Sequence, residues 1–151
     1  MAQTFTGIDE VVHAVGTQLG QTEWLEITQE QVNQFADATG DHQWIHVDVE
    51  KASKGPYGGT IAHGYLTLSL IARFGNELFS VEGVTAKLNY GVNKVRFPAP
   101  VPVGARVRAN ASIAGAQETP AGAQISLHWV IDIENTTKPA CVAETVVLLV
   151  R

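Results

Sequence analysis

The stretch YLTLSLIARFGNELFS, residues 65–80, decides how this chain folds. Ser69, Arg73, Asn76, Glu77 and Ser80 fall at i, i+4, i+7, i+8 and i+11, so they share one narrow helical stripe. Nearly every other position is apolar. A helix with so thin a polar stripe is expected to be mostly buried. At about 1.5 Å per residue it spans about 23 Å. The connector before it, KGPYGGTIAHG at 54–64, carries four glycines and a proline and reads as a tight turn or flexible link.

After this helix the period changes from helical to alternating. Val84, Ala86, Leu88, Tyr90 and Val92 alternate, and then the phase slips so that Val95 and Phe97 continue on odd positions. A bulge near Gly91 accounts for the slip. Ala105, Val107, Ala109, Ala111 and Ile113 alternate against Arg106, Arg108, Asn110 and Ser112. Ala123, Ile125, Leu127, Trp129, Ile131 and Ile133 form another strand, and CVAETVVLLV at 141–150 is apolar on both faces, as a central strand is. APVPVG and ETPAG are the turns. One buried helix followed by long antiparallel strands is the α+β layout, a helix on one face of a sheet. The small alanines of 105–111 leave room for a helix to lie close.

Ahead of the central helix, GIDEVVHAV places Ile8, Val11, Val12 and Val15 at helical spacing, and EWLEI reads as a short strand. Thr28 followed by Gln31 is a capping-box pattern. Val32, Phe35 and Ala36 form the apolar stripe of the helix it opens, and Gly40 is placed to end it. With 151 residues and no repeat or linker, the chain reads as one domain over 1–151. Hydrophobic residues at 45% and charged residues at 17% fit a globular chain. A net charge of −5 argues against non-specific nucleic-acid binding. No apolar run reaches the roughly 18–20 residues of a membrane span, and the N-terminus lacks a basic region followed by an apolar one. The single cysteine, Cys141, excludes an internal disulfide and fits a reducing, cytoplasmic compartment.

The chemistry concentrates in GDHQWIHVD, residues 40–48. Asp41, His42, His46 and Asp48 lie in a loop just past a helix, where functional groups gather on a rigid scaffold. Three readings are open: a solvated turn, a metal site, or an acid–base pair. His42 and His46 are four apart, but the glutamate of HExxH is missing, Gln43 standing there, and no cysteine is near. Trp44 and Ile45 interrupt the polar run and are expected to anchor the loop and partly desolvate Asp41 and His46. Such pairs run acid–base chemistry near neutral pH.

GDHQWIHVDVEKA resembles the hydratase-2 motif of the MaoC-like (R)-specific enoyl-CoA hydratases: Gly-Asp-x-Asn-Pro-(Ile/Leu/Val)-His, five residues, then Ala or Ser. Gly40, Asp41, Ile45, His46 and Ala52 stand at the matching places. Gln43-Trp44 replaces Asn-Pro, as in the nodulation-protein-N branch. IAHGYLTLSL is similar to the family's His-Gly segment, and KVRFPAPVPVGARV to its Arg-Phe…Pro-Val…Gly strand pair. The resemblance covers roughly residues 20–150.

The resemblance implies a hotdog fold, a long central helix wrapped by an antiparallel sheet, paired into a homodimer. It implies syn hydration of a trans-2-enoyl-CoA thioester to an (R)-3-hydroxyacyl-CoA without cofactor or metal. By motif position, Asp41 and His46 manage the water's protons and the Gly64 N–H binds the thioester oxygen. Gln43, His63, Tyr65 and Arg96 are expected at the substrate, and Gln43 is also expected to brace the loop by hydrogen bonds, as Asn does. Ala72 stands where better-known hydratases carry a serine near the acyl site. The rivals are a hotdog thioesterase, which would use a lone carboxylate on the helix, and a non-catalytic acyl-thioester-binding subunit.

Overall fold

The structure, a computed structural model, describes residues 2–151. Strand β1 (Gln3–Thr6) leads into α1 (Ile8–His13), whose Ile8 and Val11 are buried. β2 (Gln18–Gln21) and β3 (Leu25–Glu26) follow. Thr28 then caps α2 (Gln29–Thr39) through both halves of the expected box: its hydroxyl accepts from the Gln31 N–H, and the Gln31 side chain accepts from the Thr28 N–H. Gly40 ends α2 in the left-handed conformation at φ 80°, which glycine adopts without a Cβ penalty. Two short helices come next, α3 (Trp44–Val47) and α4 (Val49–Ser53).

The central helix runs as two segments, α5 (Gly64–Ser69) and α6 (Ile71–Leu78), with Leu70 between them. The Phe74 N–H still donates to the Leu70 carbonyl, so the axis is interrupted rather than broken. β4 (Phe79–Glu82) takes over where the helix was expected to continue to Ser80, and it pairs in parallel with β1. Four long strands complete the chain: β5 (Ala86–Arg96), β6 (Arg106–Thr119), β7 (Gly122–Ile133) and β8 (Cys141–Val150).

These strands form an antiparallel sheet in the order β2-β6-β7-β8-β5, with β3 also pairing along β6. The alternation of β6 and β7 is that of burial: Val107, Ala109, Ala111 and Ile113 face the core with Ile125, Leu127, Trp129 and Ile131. Phe74 and Leu78 of α6 pack on this face. Gly75, which has no side chain, sits against the Trp129 ring, whose indole N–H donates to Thr145 Oγ1 at 3.0 Å. The slip in β5 is present: the register against β8 shifts between Asn89 and Gly91, and again between Asn93 and Arg96, where Lys94 takes φ 52°.

Two expectations change. Val84 precedes β5 instead of opening it, and the apolar members of that strand, Leu88, Tyr90 and Val92, are exposed. The central helix is also less buried than its composition indicated. Tyr65, Ser69, Ala72, Arg73, Asn76 and Glu77 are all exposed, so the open face is wider than the polar stripe alone. The physical reason is common to both. Among the described residues β5 is a sheet edge, paired only with β8, and the strip between it and the helix is left exposed.

Candidate active site

Three elements converge on one spot. The loop after α2 delivers Asp41, α3 delivers His46, and the start of α5 delivers His63 and Gly64. The donor atoms of Asp41, His46 and His63 all lie within 4.8 Å of one another.

His46 is 7% exposed and firmly held. Its Nδ1 lies 2.7 Å from the Ile61 carbonyl oxygen. A carbonyl only accepts, so Nδ1 carries the hydrogen and Nε2 keeps a free lone pair. The Ile61 N–H in turn donates to the Ile45 carbonyl at 3.0 Å, clasping α3 from both sides. The Gln29 side chain, at the start of α2, donates to the His46 carbonyl at 2.8 Å and accepts from Thr60 Oγ1 at 2.7 Å. The backbone of His46 is therefore pinned to two other elements.

Gly64 opens α5 with its N–H beyond the reach of any intrahelical partner. A Cβ placed there would meet the Phe97 ring at 3.2 Å, so the glycine permits a close approach that alanine would crowd. Gly64 and His46 share the wall of a cavity of about 320 Å³, with Tyr57, Thr67, Phe97 and Val101. A second cavity, of about 270 Å³, lies further along the central helix, between Ala72 and Gly75 on one side and Lys87, Asn89 and Thr145 on the other.

Asp41 sits differently from expectation. Its side chain is 52% exposed and approaches the pair from the solvent side, outside the walls of the 320 Å³ cavity. Its Oδ1 accepts from the Gln43 N–H at 3.4 Å. Trp44 is half-buried, and its ring lies against Gly55 and under the Lys51 amine. Trp44 thus packs against α4 and the turn that follows it, and does not cover Asp41.

The remaining expected contacts are scattered. Gln43 is exposed and braces the loop through its backbone, with no side-chain hydrogen bond among the described residues. Tyr65 is exposed and edge-on to Phe97, with ring centroids 6.4 Å apart. Arg96 is exposed and donates to the carbonyl of Val95 at 2.8 Å. His63 is 3% exposed and lies behind the pair instead of at its open side. His42 turns away to Asp37, at 2.9 Å, and that hydrogen bond raises its pKa.

As a metal set the trio is short of donors. His63 Nε2 lies 3.0 Å from the Asp41 carbonyl oxygen, so it carries a hydrogen and cannot ligate, and the ring's lone pair is on the buried Nδ1. Residue types alone did not reveal Ile61, Gln29 and Phe35. Ile61 acts through its carbonyl, Gln29 is one polar helix residue among several, and Phe35 looks like any core aromatic.

The MaoC-like domain model matches residues 10–126. The 3-hydroxyacyl-thioester dehydratase Z of Mycobacterium tuberculosis (strain ATCC 25618 / H37Rv) is 52% identical over 146 residues, covering 96% of this chain and 97% of that protein. Nodulation protein N of Rhizobium leguminosarum bv. viciae is 39% identical over 143 residues, covering 93% and 89%. Among solved structures, the (R)-hydratase from A. caviae involved in PHA biosynthesis matches with a TM-score of 0.74 at 25% identity, over 89% of this chain and 96% of that one. The monoamine oxidase regulatory protein from Archaeoglobus fulgius matches with a TM-score of 0.80 over 100% and 98%, and at 23% identity this likeness speaks for the fold alone. The fold is the hotdog type, and with this family's model spanning most of its length, the chain belongs to the MaoC-like dehydratases.

Proposed function

We propose that the protein hydrates trans-2-enoyl thioesters reversibly to (R)-3-hydroxyacyl thioesters, with Asp41 and His46 as its acid–base pair. The observation that carries this is the free Nε2 of His46, held beside the Asp41 carboxylate and sharing a cavity with the Gly64 N–H. A water between the two side chains loses a proton to the pair as its oxygen bonds C3. The pair returns one proton to C2 on the same face. Negative charge passes through the thioester oxygen meanwhile, and the Gly64 N–H donates to it; one such donor contributes about 3–4 kcal/mol. Loss of water from the 3-hydroxy thioester is the same path reversed. The dehydratase name of a relative at 52% identity and the (R)-hydratase title of a structural neighbour support this reaction and its stereochemistry.

The substrate is an acyl-CoA thioester, its acyl chain lying against the cavity that Ala72 borders, and Arg96 and Tyr65 stand at the open side toward the carrier. The functional unit is a homodimer. The free edge of β5, with exposed Leu88, Tyr90 and Val92, supports pairing with a second copy about a two-fold axis. A cytoplasmic location fits the buried free thiol of Cys141; no helix among the described residues is long and apolar enough to cross a membrane.

The test is the fall in enoyl absorbance when the purified protein meets crotonyl-CoA and longer trans-2-enoyl-CoAs, with chiral analysis of the product. An (R)-3-hydroxyacyl product supports the reading. Release of free CoA thiol without hydration would establish a thioesterase instead, and binding without turnover a non-catalytic subunit.

A further inference from the structure

We propose that His63 is a positioning residue that brackets the Asp41–His46 pair, holding one member by a hydrogen bond and the other by the face of its ring; this rests on the hydratase reading. The edge of the imidazole faces the Asp41 loop. His63 Nε2 donates to the Asp41 carbonyl at 3.0 Å and lies 4.0 Å from its carboxylate Oδ2. The flat of the ring lies on His46, centroid to centroid 3.8 Å, with the planes 22° apart. Phe35 backs His63 with its centroid 4.9 Å away. The backbone of His63 is the N-cap of α5, and its carbonyl accepts from the Thr67 N–H at 3.2 Å. One residue is thus hydrogen-bonded to Asp41, stacked on His46 and covalently joined to Gly64.

Each contact restrains a motion that the pair would otherwise have. Asp41 follows a glycine and is half exposed, so little else fixes its distance from His46. The single bond from His46 Nδ1 to Ile61 sets the tautomer but leaves the ring free to tilt about it. A neighbouring ring 3.8 Å away limits that tilt. Supports of this kind are what keep reacting groups within a fraction of an ångström of a productive arrangement.

The other side of the His63 ring is bare of polar contacts among the described residues. Its Nδ1 is buried and has no hydrogen-bond partner. The ring hydrogen therefore sits on Nε2, where the Asp41 carbonyl accepts it, on a side chain 3% exposed. Among the described residues the ring is flanked by Asp41 at one edge and by the rings of His46 and Phe35.

The experiment separates the two contacts. His63→Phe keeps an aromatic face for His46 and loses the hydrogen bond. His63→Gln keeps an amide N–H for the Asp41 carbonyl and loses the stack. Each folded variant is expected to lose at least about tenfold in kcat on crotonyl-CoA, in the range of misplaced acid–base groups, while KM stays within about threefold. In an Asp41→Asn background the same substitutions should cost less than about threefold further, because His63 acts through the pair. Unchanged kcat in both variants, a loss confined to KM, or losses that multiply in the Asp41→Asn background would overturn the proposal. Long-range 1H–15N spectra of the imidazoles of the wild-type protein supply a readout independent of turnover. They should show the His63 ring hydrogen on Nε2 at about pH 8. A His63 ring that carries its hydrogen on Nδ1 refutes the bracket even in a protein that hydrates enoyl-CoA. Those spectra also stand if the wild-type protein proves inactive, a result that would sink the hydratase reading by itself.

Discussion

Gly64→Ala separates the chemistry of this site from its stability. The added Cβ would lie 3.2 Å from Phe97 Cδ2 and 3.3 Å from its Cε2 and Cγ. Optimal carbon contacts lie at roughly 3.5–4.0 Å, so Phe97 must retreat by a few tenths of an ångström. It is 40% exposed and can do so. The crowding costs about 1 kcal/mol, at the low end for overpacking, and the gain in helix propensity on leaving glycine offsets about 0.5–1 kcal/mol. Net stability should change by less than about 1 kcal/mol, or roughly 2–4 °C in Tm for a chain of this size. Activity should respond far more. The methyl group stands in the cavity shared with His46, where the thioester must come within hydrogen-bond distance of the Gly64 N–H. Losing that bond outright would cost about a hundredfold to a thousandfold, so a displaced one should cost at least about tenfold in kcat/KM. Calorimetry and initial rates of enoyl-CoA hydration on the same preparation make the comparison. A folded Gly64→Ala protein with wild-type kcat/KM would refute the assigned role of this N–H.

Three further outcomes follow from the geometry. Gly122 pairs with both β6 and β8, and a Cβ there would overlap the Leu149 carbonyl oxygen at φ 156°, so Gly122→Ala should lower stability by at least about 3 kcal/mol; a Tm shift below about 2 °C by calorimetry would contradict this. Burial pushes the Cys141 thiol up to about 11, so the reactive thiolate is scarce at pH 7–8 and grows only toward that value. Ellman's reagent should react at least about a hundredfold more slowly with the native protein than with the unfolded one, and equal rates would show that the thiol is accessible. Tyr90→Lys places a charge on the free β5 edge and should shift light scattering from a dimer to a folded monomer; a wild-type monomer at micromolar concentration would remove the dimer altogether.

What could be read in the residues was whatever depends on local geometry or on period. Thr28, Gln31 and Gly40 act within one helix, so their types announce the cap and the stop. The alternation of β6 and β7 mirrors burial on one face, and the phase slip at Gly91 marks a bulge that exists. The strands β1, β2 and β4 were missed because each is four residues long and owes its pairing to a distant partner. The exposure of Leu88, Tyr90 and Ala72 could not be read either, because composition does not say which apolar surface a single chain leaves uncovered. At the site, the residue types of Asp41 and His46 left three readings open and the motif resemblance singled out the two; the structure places their polar atoms within 4.8 Å of each other. Its supports stayed hidden for a different reason. The Ile61 carbonyl that sets the His46 tautomer is backbone, which every residue has, and the buried setting of His63 comes from Phe35 and His46, remote in sequence.

The hydration rate of Asp41→Asn at saturating crotonyl-CoA tests the central claim most directly. Asparagine keeps the shape of Asp41 and the carbonyl contact from His63 but removes the carboxylate beside His46. His42→Ala serves as the matched control, since His42 turns away to Asp37. The account predicts that Asp41→Asn falls by at least about a hundredfold, in the range of positioned acid–base groups, while His42→Ala keeps most of the wild-type rate. Wild-type turnover by a folded Asp41→Asn protein would contradict it.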